Sequence, residues 1–384
     1  MKYLSLNYID NIIIILVTYF FIPSILIKKF LKPKYKNKGN SHILLIQLAK
    51  IGDLICTTPV FREIKNKYPK SKITLLCLYY TKGIVINNLN IDRIITINPS
   101  SYKSIQIYNI IKELKDSIFD ISISFENGII NFSLPYLLSV DKRISTITKN
   151  ETKSERLLER FVSHKLEYKQ GEMASRHYLE LLRFININNI SNELPEVFFT
   201  KETELKVISW LNNNQTLKNN NYIGIAISAG NKLKQFDITK FAQLSNIIIE
   251  KYNYNIIMIG SKDDQYLAQQ MQQMMKYKAI NSCGIFTLEE LPALIKQLKV
   301  FIGTDTGPVY IAGALNVPLI EIAGPSDLNT QKPSGNKSIF IKKELSCYPC
   351  SFIMNAPRIC KTGHHRCIKD VTVEEIYEKF KLII

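Results

Sequence analysis

Acidic side chains are scarce in this chain. Asp and Glu number 33 against 50 Lys and Arg, a formal net charge of +17 over 384 residues. Such an imbalance calls for an anionic partner: nucleic acid, a membrane surface or a phosphorylated substrate. Nucleic acid is the weakest of the three, because no recognisable binding module is present and aromatic residues do not interleave with the basic runs. Lys far outnumbers Arg, and Ile and Asn are abundant. This matches a bias toward AT-rich codons, so part of the lysine excess carries no function. The seven cysteines do not form an extracellular disulfide framework. Cys56, Cys77 and Cys283 stand alone in apolar surroundings, as reduced thiols of the cytosol do. Around His177 no second His or Cys stands at metal spacing, which makes it a packing or surface histidine.

No apolar run reaches the roughly 20 residues that cross a bilayer squarely. The longest, Ile12 to Ile27, is uncharged but short, and Pro23 would kink it. Lys28, Lys29, Lys32, Lys34, Lys36 and Lys38 follow at once. The order rules out a secretory signal, since the positive cluster lies after the apolar run and no small-residue cleavage site follows. Residues 1–40 therefore read as a membrane-associating hairpin or interfacial helix. The rest of the chain would lie on the cytoplasmic face of the inner membrane. A hydrophobic helix docked on the soluble body is the alternative.

What the chain does contain is βαβ alternation, the mark of a doubly wound parallel sheet. His42 to Leu48 is an apolar strand, and Ala49 to Asp53 is a tight turn in which Gly52 permits close backbone approach. A helix runs on to Tyr68, with Pro59 marking either a later start at Thr58 or a kink. Strands follow at Lys72–Leu78, Ile94–Ile97 and Asp120–Ser124, with a helix at Tyr102–Lys115. Helical spacing covers Glu155 to His164 and Glu172 to Phe184. Asparagine-rich breaks lie at 186–192 and 212–221; the second, after a helix at Glu202–Leu211, reads as the hinge, and the domains are read as 41–200 and 201–384.

The second domain opens on the strand from Tyr222, the loop Ala229 to Phe236 and a helix from Thr239 to Tyr252. A strand at Asn255–Ile259, a turn at 260–264 and a helix to Tyr277 come next; Met271, Met274 and Met275 on it read as packing. Helix Leu288–Leu298 then leads into VFIGTDTGPVYIAGALNVPLIEIAGPSD, Val300 to Asp327. This segment reads as strand, turn, helix and strand. Asp305 ends the first strand, Thr306 or Gly307 caps the helix, and Pro308 suits its first turn. Helix N-termini at the carboxyl ends of parallel strands offer free N–H groups to an anion. The turn 305–308 thus looks built for a phosphate-bearing ligand, although a strand-to-helix turn with a capping aspartate reads the same way.

QLAKIGDLICTTPVFREIKNKYP and GTDTGPVYIAGALNVPLIEIAGPSD resemble the two signatures of the heptosyltransferases, glycosyltransferase family 9. ISAGNKLKQFDITKFAQL is similar to the family's donor-phosphate loop. Three differences stand out: Tyr310 where a histidine is usual, Glu321 where an apolar residue is usual, and Phe236 for tryptophan. The resemblance implies the GT-B architecture, two Rossmann-like doubly wound parallel-sheet domains facing across a cleft. The acceptor would lie in the first domain and the nucleotide-sugar in the second.

It further implies transfer of a heptose from a nucleotide-sugar, ADP-heptose, to a lipopolysaccharide core or related lipid-linked glycan. On that reading Asp53 is the general base, beside Gly52 on the acceptor side; the alternative is a helix cap. Lys234, Ser228 and the helix N-terminus at Thr306, Gly307 and Pro308 would balance the departing diphosphate. Asp305 would orient the donor sugar, and Asp263 or Asp264 would take the ribose hydroxyls or cap their helix. The chain has no Asp-x-Asp, which disfavours the metal-dependent design, so inverting transfer without catalytic metal or cofactor is expected. Cys347, Cys350, Cys360 and Cys367, around His364 and His365, could hold a structural metal or remain thiols. A catalytically silent nucleotide-sugar-binding protein and a basic nucleic-acid binder are the other readings.

Overall fold

The computed structural model describes residues 8–23, 41–99, 104–114, 116–353 and 356–384. The chain divides into two compact units, Met1–Lys82 with Asn88–Glu193, and Gly83–Asn87 with Leu194–Ile384.

The first unit runs α1 (Tyr8–Phe20), β1 (His42–Gln47), α2 (Ile51–Lys67), β2 (Lys72–Leu78), β3 (Arg93–Ile97), α3 (Ser104–Leu114), β4 (Ile121–Ser124), α4 (Ile129–Leu137), β5 (Lys142–Ile147), α5 (Lys153–Glu159), β6 (His164–Glu167) and α6 (Ala174–Glu180). The strands form one six-stranded parallel sheet in the order β3-β2-β1-β4-β5-β6. Strand order reverses between β1 and β4, so ligands are expected beyond their carboxyl ends.

Two readings need correction. The helix expected from Glu155 to His164 stops at Glu159, and His164 opens β6 in register with Ile144. Thr152 starts that helix early by a reciprocal cap with Glu155. The helix expected from Glu172 to Phe184 begins at Ala174 and tightens to a 3₁₀ turn from Leu181. Pro59 neither starts nor stops α2. Proline cannot donate to the Ile55 carbonyl, and the Thr58 hydroxyl donates there instead, at 2.8 Å. The boundaries read at Tyr102 and Lys115 lie outside the described residues, as do Ser24 to Ile27 and the lysine run after them.

From Ile12 onward helix α1 is apolar but for Thr18. Ile14 and Thr18 are buried, and Ile15, Tyr19 and Ile22 pack with Phe132, Tyr136 and Phe161. The opposite stripe stays open, with Leu16 63 % and Phe20 80 % exposed and Ile13 and Phe21 beside them. Among the described residues no helix is long and apolar enough to cross a membrane.

The second unit runs α7 (Lys201–Asn214), β7 (Tyr222–Ala226), α8 (Ile238–Tyr252), β8 (Asn255–Ile259), α9 (Gln265–Met274), β9 (Ile280–Asn281), α10 (Leu291–Lys296), β10 (Val300–Thr304), α11 (Gly307–Ala314), β11 (Leu319–Ile322), β12 (Ser338–Ile341), α12 (Arg366–Lys369) and α13 (Val373–Ile383). Its sheet is again parallel and six-stranded, β12-β11-β10-β7-β8-β9. Strand order reverses between β7 and β10, where the loops carrying Lys234 and Asp305 begin. Ile223, Ile225, Ile256, Met258, Val300, Ile302, Ile320 and Ile322 fill one core with Met271 and Met275. Met274 is exposed.

The asparagine-rich stretch before β7 is fastened rather than loose. Buried Asn255 accepts from Thr216 N, Thr216 Oγ1 and Leu217 N, and donates to the carbonyls of Leu217 and Asn219. Asn255→Ala would strip these buried groups of partners. It is expected to cost about 2–3 kcal/mol, read as a lower urea midpoint at unchanged slope. An unchanged midpoint would mean that water takes over those bonds.

Candidate active site

In the first unit the β1–α2 turn is tight because Gly52 and Asp53 enter the helix directly. Asp53 is buried and occupies the third helical position, where its Oδ2 accepts the Lys50 N–H at 3.3 Å. It thus takes part in the capping from the third helical position, whereas the alternative reading made it the N-cap, which is Lys50. A carboxylate in the first turn is also favoured by the helix dipole.

Close to it lies Glu126, two residues beyond β4 and buried. Burial pushes the Glu126 carboxyl well above its usual range, and the charge of Asp53 pushes it further. Two coupled carboxyls do not ionise together cheaply, and Glu126 is the one driven toward its neutral form. Both also act on Tyr80, whose phenol rises to about 12, burial being the larger cause. Glu126 was absent from the sequence reading. The rule that picked Asp53, a carboxylate just past a parallel strand, would have found it.

His177 is fully buried, 3.0 Å from Thr146 Oγ1, and burial lowers its pKa to about 4. It is a packing histidine.

In the second unit the loop after β7 is stapled by its own side chains. Gln235 accepts from Ala229 N and donates to the carbonyls of Ile227 and Phe236, and Asn231 accepts from Leu233 N. Phe236, in place of tryptophan, is buried against Phe241. This fixes Ser228 at the strand end and delivers Lys234 to Asp305, Nζ to Oδ2, at 2.5 Å.

Asp305 is held from two further directions. Ser326 Oγ donates to Oδ2 at 2.5 Å and Tyr310 OH to Oδ1 at 3.0 Å. Burial alone would raise this carboxyl. Lys234 and the two hydroxyls reverse that and hold it below the usual carboxylate range. Tyr310, noted in the sequence as a substitution, is therefore a direct partner of Asp305. Asp305 does not cap α11. Thr306 is the N-cap and Pro308 lies in the first turn, but the Thr306 hydroxyl turns back to the Thr304 carbonyl. That leaves the N–H groups of the helix start without a side-chain cap.

Asp264 accepts from Ser261 N and Oγ at 2.6 Å, so it works as a cap of its own turn. Asp263 beside it is exposed. The four tail cysteines are free thiols, and Cys347 Sγ lies 3.8 Å from His364 Nε2. Burial, then the neighbouring thiols, pushes Cys367 up to about 11. Yet among the described residues no three His, Cys, Asp or Glu side chains stand together as a metal site. Cys367 feels Cys347, Cys350 and Cys360, so the four thiols of the possible structural site share one neighbourhood.

Comparison with known proteins bears on this arrangement. Residues 107–356 match the family model for glycosyltransferase family 9 (heptosyltransferase). Lipooligosaccharide heptosyltransferase 2 of Haemophilus ducreyi is 23 % identical, over 89 % of this chain and 99 % of that protein. The crystal structure of a family 9 glycosyltransferase from Veillonella parvula superposes with a TM-score of 0.78 at 18 % identity, covering 91 % of this chain and 99 % of that one. E. coli ADP-heptose lipopolysaccharide heptosyltransferase II superposes at 0.70 and 15 % identity, covering 89 % and 98 %. The two doubly wound sheets are those of the GT-B fold. The family match spans well over half of the chain and takes in the Lys234 loop, the Asp305 turn and Ser326. The protein is thus a glycosyltransferase and belongs to glycosyltransferase family 9.

Proposed function

We propose that this enzyme moves a heptose from ADP-heptose to a lipopolysaccharide core or related lipid-linked glycan, inverting the anomeric centre without a catalytic metal. The observation that carries the reading is the largely buried Lys234–Asp305 pair, built from two separate loops at the switch point of one sheet. A lysine so placed offers its charge to a departing diphosphate, and the uncapped start of α11 offers N–H groups. Asp305, held by Tyr310 and Ser326, is positioned to accept from sugar hydroxyls. Ser228 stands at the neighbouring strand end for the phosphates, and exposed Asp263 is the better of the acidic pair for ribose. In the first unit Asp53 takes the proton of the acceptor hydroxyl. The name of the E. coli enzyme that superposes on this chain, an ADP-heptose heptosyltransferase, supports ADP-heptose as the donor. The test is transfer by purified protein with a panel of nucleotide-sugars, with and without chelator. Turnover with ADP-heptose that survives chelator supports the reading. Donor binding with no turnover on any acceptor would leave a silent binding protein instead.

The same reading places the enzyme on the cytoplasmic face of the inner membrane. Its anchor is the open stripe of α1, Ile13, Leu16, Phe20 and Phe21, with the lysine run that follows in sequence. Because the other face of α1 covers core side chains, deleting residues 1–38 would also expose the body. Leu16→Glu with Phe20→Glu is the cleaner test. Each lost apolar contact is worth about 1.5–3 kcal/mol, so binding to anionic vesicles should fall at least about tenfold with melting unchanged. Equal vesicle binding would remove α1 as the anchor.

A further inference from the structure

Glu321 is fully buried in β11, and neither carboxyl oxygen has a hydrogen-bond partner among the described residues. Leaving a carboxyl so placed is expensive, and an apolar side chain would fit the strand without that cost. Its position in the sheet says what it is near. Ile320 and Ile322 point into the main core, so Glu321 points to the other face, where its register partner on β10 is Gly303. A Cβ on Gly303 would meet Val309 of α11 at 3.3 Å, which shows that α11 covers this face. Two residues beyond Gly303 lies Asp305. The acid therefore sits behind the Lys234–Asp305 pair, and it feels both charges.

Asp305 has one cationic partner and two hydroxyl donors, Ser326 and Tyr310. If Lys234 serves a diphosphate, its charge is drawn away from a buried carboxylate, which is costly to leave uncompensated. A neutral carboxylic acid is the nearby group with a spare O–H. Burial first, and the charge of Asp305 second, keep Glu321 in that form by raising its pKa well above the usual range.

We propose that Glu321 is a positioning residue of the donor site, an acid whose O–H serves the Asp305 carboxylate when Lys234 turns to the donor's diphosphate. This rests on the reading that Lys234 meets that diphosphate. The Glu321 proton stays on Glu321, and its O–H gains an acceptor. Without donor the O–H has no acceptor, which accounts for the unpartnered acid.

The test measures ADP affinity by calorimetry and melting by scanning calorimetry for Lys234→Ala, Glu321→Leu, Glu321→Gln and the double variant Lys234→Ala/Glu321→Leu. Glu321→Leu should melt higher than wild type and yet bind ADP about tenfold more weakly, the size of one hydrogen bond to a charged group. Glu321→Gln, whose amide can donate, should recover most of that loss. In the Lys234→Ala background Glu321→Leu should add nothing further, because no lysine is left to depart. A higher melting point with ADP affinity within about twofold of wild type would overturn the proposal, as would additive losses in the double variant. Unaltered ADP affinity in Lys234→Ala would instead defeat the reading on which it rests. If Glu321→Leu does not fold, Glu321→Met with the same readouts decides in the same way.

Discussion

Asp53→Asn is expected to lower turnover by roughly 10²–10⁴-fold while ADP binding survives. The amide keeps the size of the carboxylate and still accepts from Lys50 N, so the cap of α2 is preserved and the fold should melt near the wild-type temperature. What it loses is the ability to take a proton from the acceptor hydroxyl. The neighbouring Glu126 sharpens the expectation. Held toward its neutral form by burial and by Asp53, it is poorly placed to act as the base in its stead. Near-normal turnover in Asp53→Asn would reduce the residue to a capping role.

Lys234→Ala is expected to remove about 2–4 kcal/mol of transition-state stabilisation, roughly 30- to 1000-fold in turnover at saturating donor. The single variant also deprives the largely buried Asp305 carboxylate of its cation, leaving it with hydroxyl donors such as Ser326 and Tyr310. Lys234→Ala/Asp305→Asn removes that charge and separates a folding defect from a catalytic one. If the double variant folds as wild type does and turns over more slowly than Asp305→Asn alone, the lysine acts on the reaction. Wild-type turnover in the single variant at saturating donor would contradict the role.

Much of this site was legible because its chemistry sits where strands end. Apolar runs such as ILLIQ and VFIGT mark parallel strands, and the residues just past them, Asp53 and Asp305, fall at the carboxyl edge of each sheet. The later strands of the first unit were hidden for a different reason. KRISTI and HKLE are short and carry charged residues, HKLE lies at the sheet edge, and the helix-like spacing from Glu155 ran on into its first residue, His164. Tyr310 and Glu321 were visible as odd residues, but their meaning needed the third dimension. Only the fold shows that a phenol five residues after Asp305 reaches its carboxylate, and that a strand glutamate lies behind the same pair. Asp264 shows the converse. Sequence allowed it either a ligand or a cap, and its bonds to Ser261 are those of a cap.

The most direct test is the configuration of the product. Purified protein would be given ADP-heptose and a core-lipid acceptor, and the new glycosidic linkage read by NMR. The account predicts an acceptor that has gained one heptose, linked with the anomeric configuration opposite to that of the donor. A linkage that retains the donor's configuration, or ADP release with the acceptor unchanged, would contradict it.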